Sequence, residues 1–150
     1  MLIRPLEASD RKAVQAMLAG CGAFSEEEVT VALEIFDSGE MAHFGAEVEG
    51  ILCGYVCLEP VALTRSTWHV YWLCVDASCQ RRGVATALMR QAAEFARSKG
   101  GERLVVETSG RLDYERARRF YERVGFRQVG RIADYYKPGD DCVYYCKLLD

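Results

Sequence analysis

The sequence predicts a single mixed α/β domain spanning residues 1–150, with elements in the order β-α-α-β-β-β-α-β-α-β-β. Three observations carry this. Stretches with apolar residues at helical spacing are interspersed with short runs rich in β-branched and aromatic residues. One helical stretch lies between two apolar, strand-like runs, "TWHVYWLCV" and "RLVVETS", at about the minimum separation for a right-handed parallel crossover. The chain has 150 residues, 50% hydrophobic and 27% charged, the size and composition of one globular domain that buries roughly 70% of its unfolded surface.

The elements follow in order. "LIRPLE" is a short strand closed by Pro5. Ser9 or Asp10 then caps a helix with Ala13, Val14, Met17 and Leu18 at helical spacing, ended by Gly20 and Gly22. Ser25, with Glu28 three residues on, makes a capping box for a second helix through about Asp37, whose apolar face is Val29, Ala32, Leu33 and Phe36. "MAHFGAEVEGILCGYVCLEP" reads as two strands joined at Glu49-Gly50, where glycine supplies a positive φ. "TWHVYWLCV", bulky on both faces, is a central strand. From Gly83 to about Ser98, Val84, Leu88, Ala92 and Phe95 form a core-facing stripe, and Lys99-Gly100-Gly101 ends that helix. "RLVVETS" is a buried strand parallel to "TWHVYWLCV". "YERARRFYERVGF" is a shorter helix with Tyr114, Ala117, Arg118 and Tyr121 along one face. "FRQVGRIADYY" and "CVYYCKLL" close the chain as a hairpin around Pro138-Gly139-Asp140-Asp141.

Composition limits the function. A net charge of −3 and only two small arginine clusters, Arg81-Arg82 and Arg116, Arg118, Arg119, argue against a nucleic-acid surface. The seven cysteines contain no C-x-x-C and the chain has two histidines, so no metal site is expected; the cysteines read as small buried hydrophobes in a reducing compartment. "MLIRPLEASD" carries charges at Arg4, Glu7 and Asp10, and no apolar span approaches ~18 residues, so neither a signal peptide nor a membrane span is expected. The expected location is cytoplasmic.

One loop stands out. In "VDASCQRRGVATALM", Gly83 opens a helix, and with no Cβ in the way a ligand can approach the free amides of the first turn. Those amides and the helix dipole favour a phosphate.

"QRRGVA", between a strand ending "LCVD" and a helix continuing "TALM", resembles the pyrophosphate loop, Q/R-x-x-G-x-G/A, of the GNAT superfamily of N-acetyltransferases. "YERARRFYERVGF" resembles that superfamily's second motif, and the element order agrees over essentially the whole chain. "VETSGRLDYERARRFYERVGF" with "IADYYKPGDDCVYYCKLL" is similar to a bacterial and archaeal branch acting on small, amino-acid-like molecules. Two positions depart from the pattern. Ala85 stands at a glycine position where alanine is accepted, and Tyr114 stands where many members have asparagine.

The resemblance implies a GNAT fold and acetyl-CoA as cosubstrate, with no metal. It assigns cofactor binding to Leu73, Cys74 and Val75, whose backbone edge would pair with the pantetheine amides, and to Arg81, Arg82, Gly83, Val84, Ala85 and Thr86 around the pyrophosphate. Tyr114 and Ala117 would lie along the pantetheine arm. Tyr121 matches the motif tyrosine and is the candidate general acid, since a phenol with a pKa of ~10 is protonated at neutral pH. The base stays open between Glu107, on "VVETS", and His69, on "HVYWLCV". Apart from the resemblance, turn chemistry alone explains Pro138-Gly139-Asp140-Asp141; the alternative reading is that Asp140 and Asp141, flanked by Tyr135, Tyr136, Tyr144 and Tyr145, attract an acceptor ammonium. The implied activity is N-acetylation of a small-molecule amine such as an amino acid. The alternatives are a protein or peptide N-acetyltransferase and a non-catalytic acyl-CoA sensor. Dimerisation is common in the superfamily the chain resembles, and an exposed final strand would offer an edge for a homodimer, although such edges are usually guarded.

Overall fold

The computed structural model describes all residues, 1–150, as seven strands and four α-helices in the expected order. The strands form a mixed sheet ordered β1-β2-β3-β4-β5-β7-β6. The chain divides into two compact units, Met1–Glu59 with Val70–Phe95, and Pro60–His69 with Ala96–Asp150. No helix is long and apolar enough to cross a membrane.

The first unit contains β1 (Leu2–Pro5), α1 (Arg11–Gly20), α2 (Glu26–Ser38), β2 (Ala42–Val48), β3 (Ile51–Pro60), most of β4 (Thr67–Val75) and most of α3 (Val84–Ser98). Local chemistry sets several boundaries. The Ser25 hydroxyl accepts the Glu28 amide at 3.2 Å, and Gly39, left-handed at φ 67°, closes α2. The β2–β3 hairpin turns at Glu49 and Gly50, both with positive φ (54° and 80°), as the tightest two-residue turn requires. Asp10 does not cap α1 with its side chain. Its carboxylate takes Nη1 and Nη2 of Arg4 at 2.9 and 2.8 Å and the Glu7 amide at 2.8 Å. The Arg4 bond is the main cause that holds Asp10 below the usual carboxylate range. Ala13 is exposed, so the buried face of α1 is the narrower Val14, Met17 and Leu18.

Those three residues pack with Ala32, Leu33 and Phe36 of α2 and with Tyr55, Cys57 and Cys74, all under a tenth exposed. Each large apolar side chain removed from water contributes about 1.5–3 kcal/mol, so this cluster anchors both helices on the sheet. Gly54 sets how closely α3 approaches. A Cβ there would stand 2.6 Å from Val84 Cγ1 and 2.8 Å from Leu88 Cδ1. Only glycine at this position lets the first turn of α3 rest on β3.

The second unit contains the start of β4, β5 (Arg103–Ser109), α4 (Glu115–Arg123), β6 (Arg127–Lys137) and β7 (Asp140–Leu148). The β4–β5 ladder is parallel, from Thr67 opposite Arg103 to His69 opposite Val105, as the crossover spacing predicts. β7 pairs antiparallel with β5 over its length, Val106 opposite Tyr145 and Glu107 opposite Tyr144. The final strand is therefore internal, and β6 forms the edge, contrary to the expectation of an exposed final strand. Burial gives the reason: Cys142, Val143 and Tyr145 of β7 are at most 1% exposed, whereas nearly every residue of β6 is exposed.

Candidate functional site

The sequence-predicted residues fall into two groups, one in each unit. In the first unit, β4 ends at Val75, and a single 3-10 turn, Ala77–Cys79, leads through Gln80–Gly83 into α3. The Asp76 amide donates to the Cys53 carbonyl on β3 at 2.8 Å. The Asp76 carboxylate accepts the Ser78 hydroxyl at 2.5 Å and amide at 2.9 Å, and these bonds lower its pKa. The loop is thus tied down at its entry.

Beyond that anchor the backbone takes positive φ twice, at Arg81 (65°) and Gly83 (77°). Alternation into the left-handed region turns successive amides toward one concavity, the geometry of an anion-binding nest. A Cβ at Gly83 would meet nothing within 4 Å, so the glycine serves conformation and access rather than packing. Val84 is 1% exposed and fixes the helix start. Arg81, Arg82 and Thr86 are exposed and Ala85 half-buried, which places cationic side chains and the free amides of Val84, Ala85 and Thr86 together at the mouth of α3. Leu73 and Val75 are half-buried. Cys74 is 4% exposed and its thiol lies 4.0 Å from the Met17 carbonyl oxygen. Burial is the main cause that raises the Cys74 pKa, so this thiol packs rather than reacts.

In the second unit, Tyr114 is the residue just before α4, and Tyr114, Ala117, Arg118 and Tyr121 share its half-buried face. Arg118 Nη1 donates to the carbonyl oxygens of Ser109 and Arg111 at 2.7 Å each. The connection from β5 into α4 is held by that guanidinium, a role the sequence did not announce. The Tyr121 ring lies 5.7 Å from Phe126 and 5.9 Å from Tyr145, and burial pushes its phenol up to about 12.

Register sorts the acid and base candidates by face. Residues directly opposite in a ladder point to the same side of the sheet, and neighbours along a strand to opposite sides. Tyr145, which Tyr121 touches, shares a side with Val106. His69 shares the other side with Val105, and therefore with Glu107 and Tyr144. Glu107 and His69 come together on one face, and Tyr121 packs against the opposite one. The Glu107 carboxylate is exposed. Beside it, the Tyr136 and Tyr144 phenols are raised first by burial and further by the charges of Glu107 and Cys142. Tyr136 Oη donates to Cys142 Sγ at 3.6 Å.

Asp140 and Asp141 are not open to an ammonium. Asp140 is buried and accepts the Ser109 hydroxyl. Asp141 accepts Arg131 Nε at 2.6 Å and the Asp134 amide at 3.0 Å, so Asp140 ties β7 to Ser109 of β5 and Asp141 braces the β6–β7 hairpin. A cavity of about 600 Å³ in the first unit is lined by Leu6, Phe36, Met41, His43 and Phe44 among others. None of the sequence-predicted site residues lines it.

The family model described as "Acetyltransferase (GNAT) family" matches residues 11–126. Over 96 residues the chain is 34% identical to N-alpha-acetyltransferase RimI of Mycobacterium tuberculosis, covering 63% of this chain and 58% of that one. Over 77 residues it is 31% identical to N-alpha-acetyltransferase 30 of Schizosaccharomyces pombe, covering 51% and 50%. The chain thus spans little more than half the length of these curated relatives. A crystal structure from Desulfovibrio desulfuricans, described as of the GNAT family, superposes with a TM-score of 0.95 at 30% identity over 99% of both chains.

Proposed function

Because the chain belongs to the acetyltransferase (GNAT) family, we propose that residues 1–150 act as one N-acetyltransferase domain that moves the acetyl group of acetyl-CoA onto an acceptor amine. The observation that carries this reading is the loop before α3, with positive φ at Arg81 and Gly83 and an open approach at Gly83. The chemistry of these residues fits a diphosphate: free backbone amides at a helix N-terminus, two exposed arginines just before them in sequence, and no side chain at the glycine.

Each group has a chemical task. Acetyl-CoA, when bound, supplies an activated thioester that an amine can attack directly. Arg81, Arg82 and the amides from Gly83 to Thr86 hold its phosphates. Leu73, Cys74 and Val75 lie beyond His69, the last β4 residue paired with β5, and offer backbone groups to the pantetheine amides and to the developing oxyanion. Tyr114 and Ala117 line the arm. Tyr121, kept protonated by burial, gives the proton of its Oη to the leaving thiolate. Glu107 or His69, on their common face, takes the proton of the acceptor ammonium.

The acceptor is an α-amine, carried by a small molecule such as a free amino acid. A peptide N-terminus is the second reading, favoured by the two relatives whose names specify N-alpha-acetylation. Incubation with acetyl-CoA and a panel of amino acids of both hands, polyamines, aminoglycosides and short peptides tests it, with acetylated product read by mass spectrometry. Acetylated amino acids or peptides, with polyamines and aminoglycosides untouched, are the expected result. Acetyl-CoA binding with no acetylated product in any class would replace the enzyme by an acyl-CoA sensor.

A further inference from the structure

Cys53 and Cys79, 26 positions apart in sequence, meet in the first unit. Cys53 lies on β3 and is 1% exposed. Cys79, half-buried, ends the 3-10 turn that leads into the Gly83 loop. Two backbone hydrogen bonds tie their segments together. The Asp76 amide donates to the Cys53 carbonyl at 2.8 Å, and the Cys79 amide donates to the Asp76 carbonyl at 3.0 Å. Burial raises the Cys53 thiol, and the Cys79 thiol lies close enough to raise it further. Ser78 Oγ lies 3.7 Å from Cys79 Sγ on the other side. Both cysteines are free thiols, and Cys79 stands four residues before Gly83.

We propose that Cys53 and Cys79 form a reversible thiol–disulfide switch that controls coenzyme binding by the Gly83 loop. The proposal rests on the reading of that loop as the pyrophosphate site. A covalent bond draws the two sulfur atoms inside hydrogen-bonding distance. Cys79 then moves toward β3, and the loop that follows it is re-aimed. Backbone amides lose alignment with a bound phosphate steeply as hydrogen-bond geometry degrades.

The chemistry needs an oxidant, and a low-molecular-weight disulfide such as glutathione disulfide suffices. Cys79 is the accessible partner and reacts first: its thiolate attacks one sulfur of the disulfide, and one thiolate of the reagent leaves. Cys53, whose thiol burial pushes up to about 11, then loses its proton to solvent and attacks the Cys79 sulfur, expelling the second thiolate. The two cysteines together give up two electrons and two protons, and the reagent becomes two thiols. An external thiol reverses each step.

The test compares reduced and glutathione-disulfide-treated full-length protein, with links assigned by peptide mapping and CoA affinity read by calorimetry. We expect a Cys53–Cys79 link and a CoA Kd weakened about tenfold, the effect of losing one charge-assisted hydrogen bond, with recovery on adding a thiol. Cys79→Ser, which leaves the buried Cys53 packing in place, is expected to bind CoA normally before and after treatment. A link between other cysteines, a linked protein with unchanged Kd, or equal loss of binding in Cys79→Ser would overturn the proposal. Failure of the reduced wild type to bind CoA would instead overturn the assignment of the Gly83 loop, and mapping would still read the thiol chemistry by itself.

Discussion

The Tyr121 ring stands 5.9 Å from that of Tyr145, on the face of β5 and β7 that Glu107 does not occupy. An acid candidate and a base candidate are thus set in different surroundings: a phenol in an aromatic nest that favours its neutral form, and a carboxylate in contact with water.

Tyr121→Phe keeps the aromatic packing and removes the proton. We expect kcat to fall about 100-fold or more, with little change in the KM for acetyl-CoA or in Tm. Because burial pushes the phenol up to about 12, Tyr121 contributes no alkaline decline to the wild-type rate below about pH 10. Wild-type turnover in folded Tyr121→Phe contradicts the assignment.

Glu107→Gln removes the charge that helps raise Tyr136 and Tyr144. Two readouts should move together: the acidic limb of the pH–rate profile is lost, and the phenols of Tyr136 and Tyr144 ionise at lower pH in an ultraviolet titration. If the tyrosines shift while the acidic limb survives, His69 is the base, and His69→Ala should abolish that limb.

Gly83→Ala places a Cβ in open space, so no clash accompanies it. The cost is the left-handed backbone at φ 77°, about 1–2 kcal/mol, together with obstruction of the phosphate. Calorimetry should show CoA affinity down more than tenfold with only a modest drop in Tm. Unchanged affinity would remove the loop from coenzyme binding.

His43 supplies a pH dependence of stability. Burial lowers its pKa from the ordinary value, and its Nδ1 lies 2.7 Å from Tyr55 Oη. Tyr55 is itself raised chiefly by burial, so its hydroxyl stays the donor and neutral His43 the acceptor. With the folded pKa below the unfolded value of about 6.5, the unfolded chain binds the proton first as pH falls. The stabilisation is therefore complete above about pH 6.5 and is lost on acidification through the window beneath it. Urea unfolding at about pH 7.5 and 5.5 should show this slope in wild type and a flatter one in His43→Gln.

Much of this was legible because the signals were local. The Ser25 cap, the Glu49-Gly50 turn and the Val84, Leu88, Ala92 stripe each depend on residues within a few positions of one another, and so does the "QRRGVA" loop. What escaped was non-local. Whether β6 or β7 pairs with β5 depends on which strand buries its residues after the chain folds back, and "FRQVGRIADYY" and "CVYYCKLL" both read as strands. Asp140 read as a turn residue open to an ammonium, because its partner Ser109 lies 31 positions away. The contact of Cys53 with Cys79 was hidden in the same way; individually each cysteine reads as a small apolar side chain.

The most direct measurement follows isotopically labelled acetyl from acetyl-CoA, with an α-amine acceptor present, and reads both acceptor and intact protein by mass spectrometry. Direct transfer predicts label on the acceptor nitrogen, one CoA released per product, and protein of unchanged mass. Label accumulating on a protein cysteine before the acceptor would contradict direct attack, and coenzyme binding without labelled amine would contradict the acetyltransferase account itself.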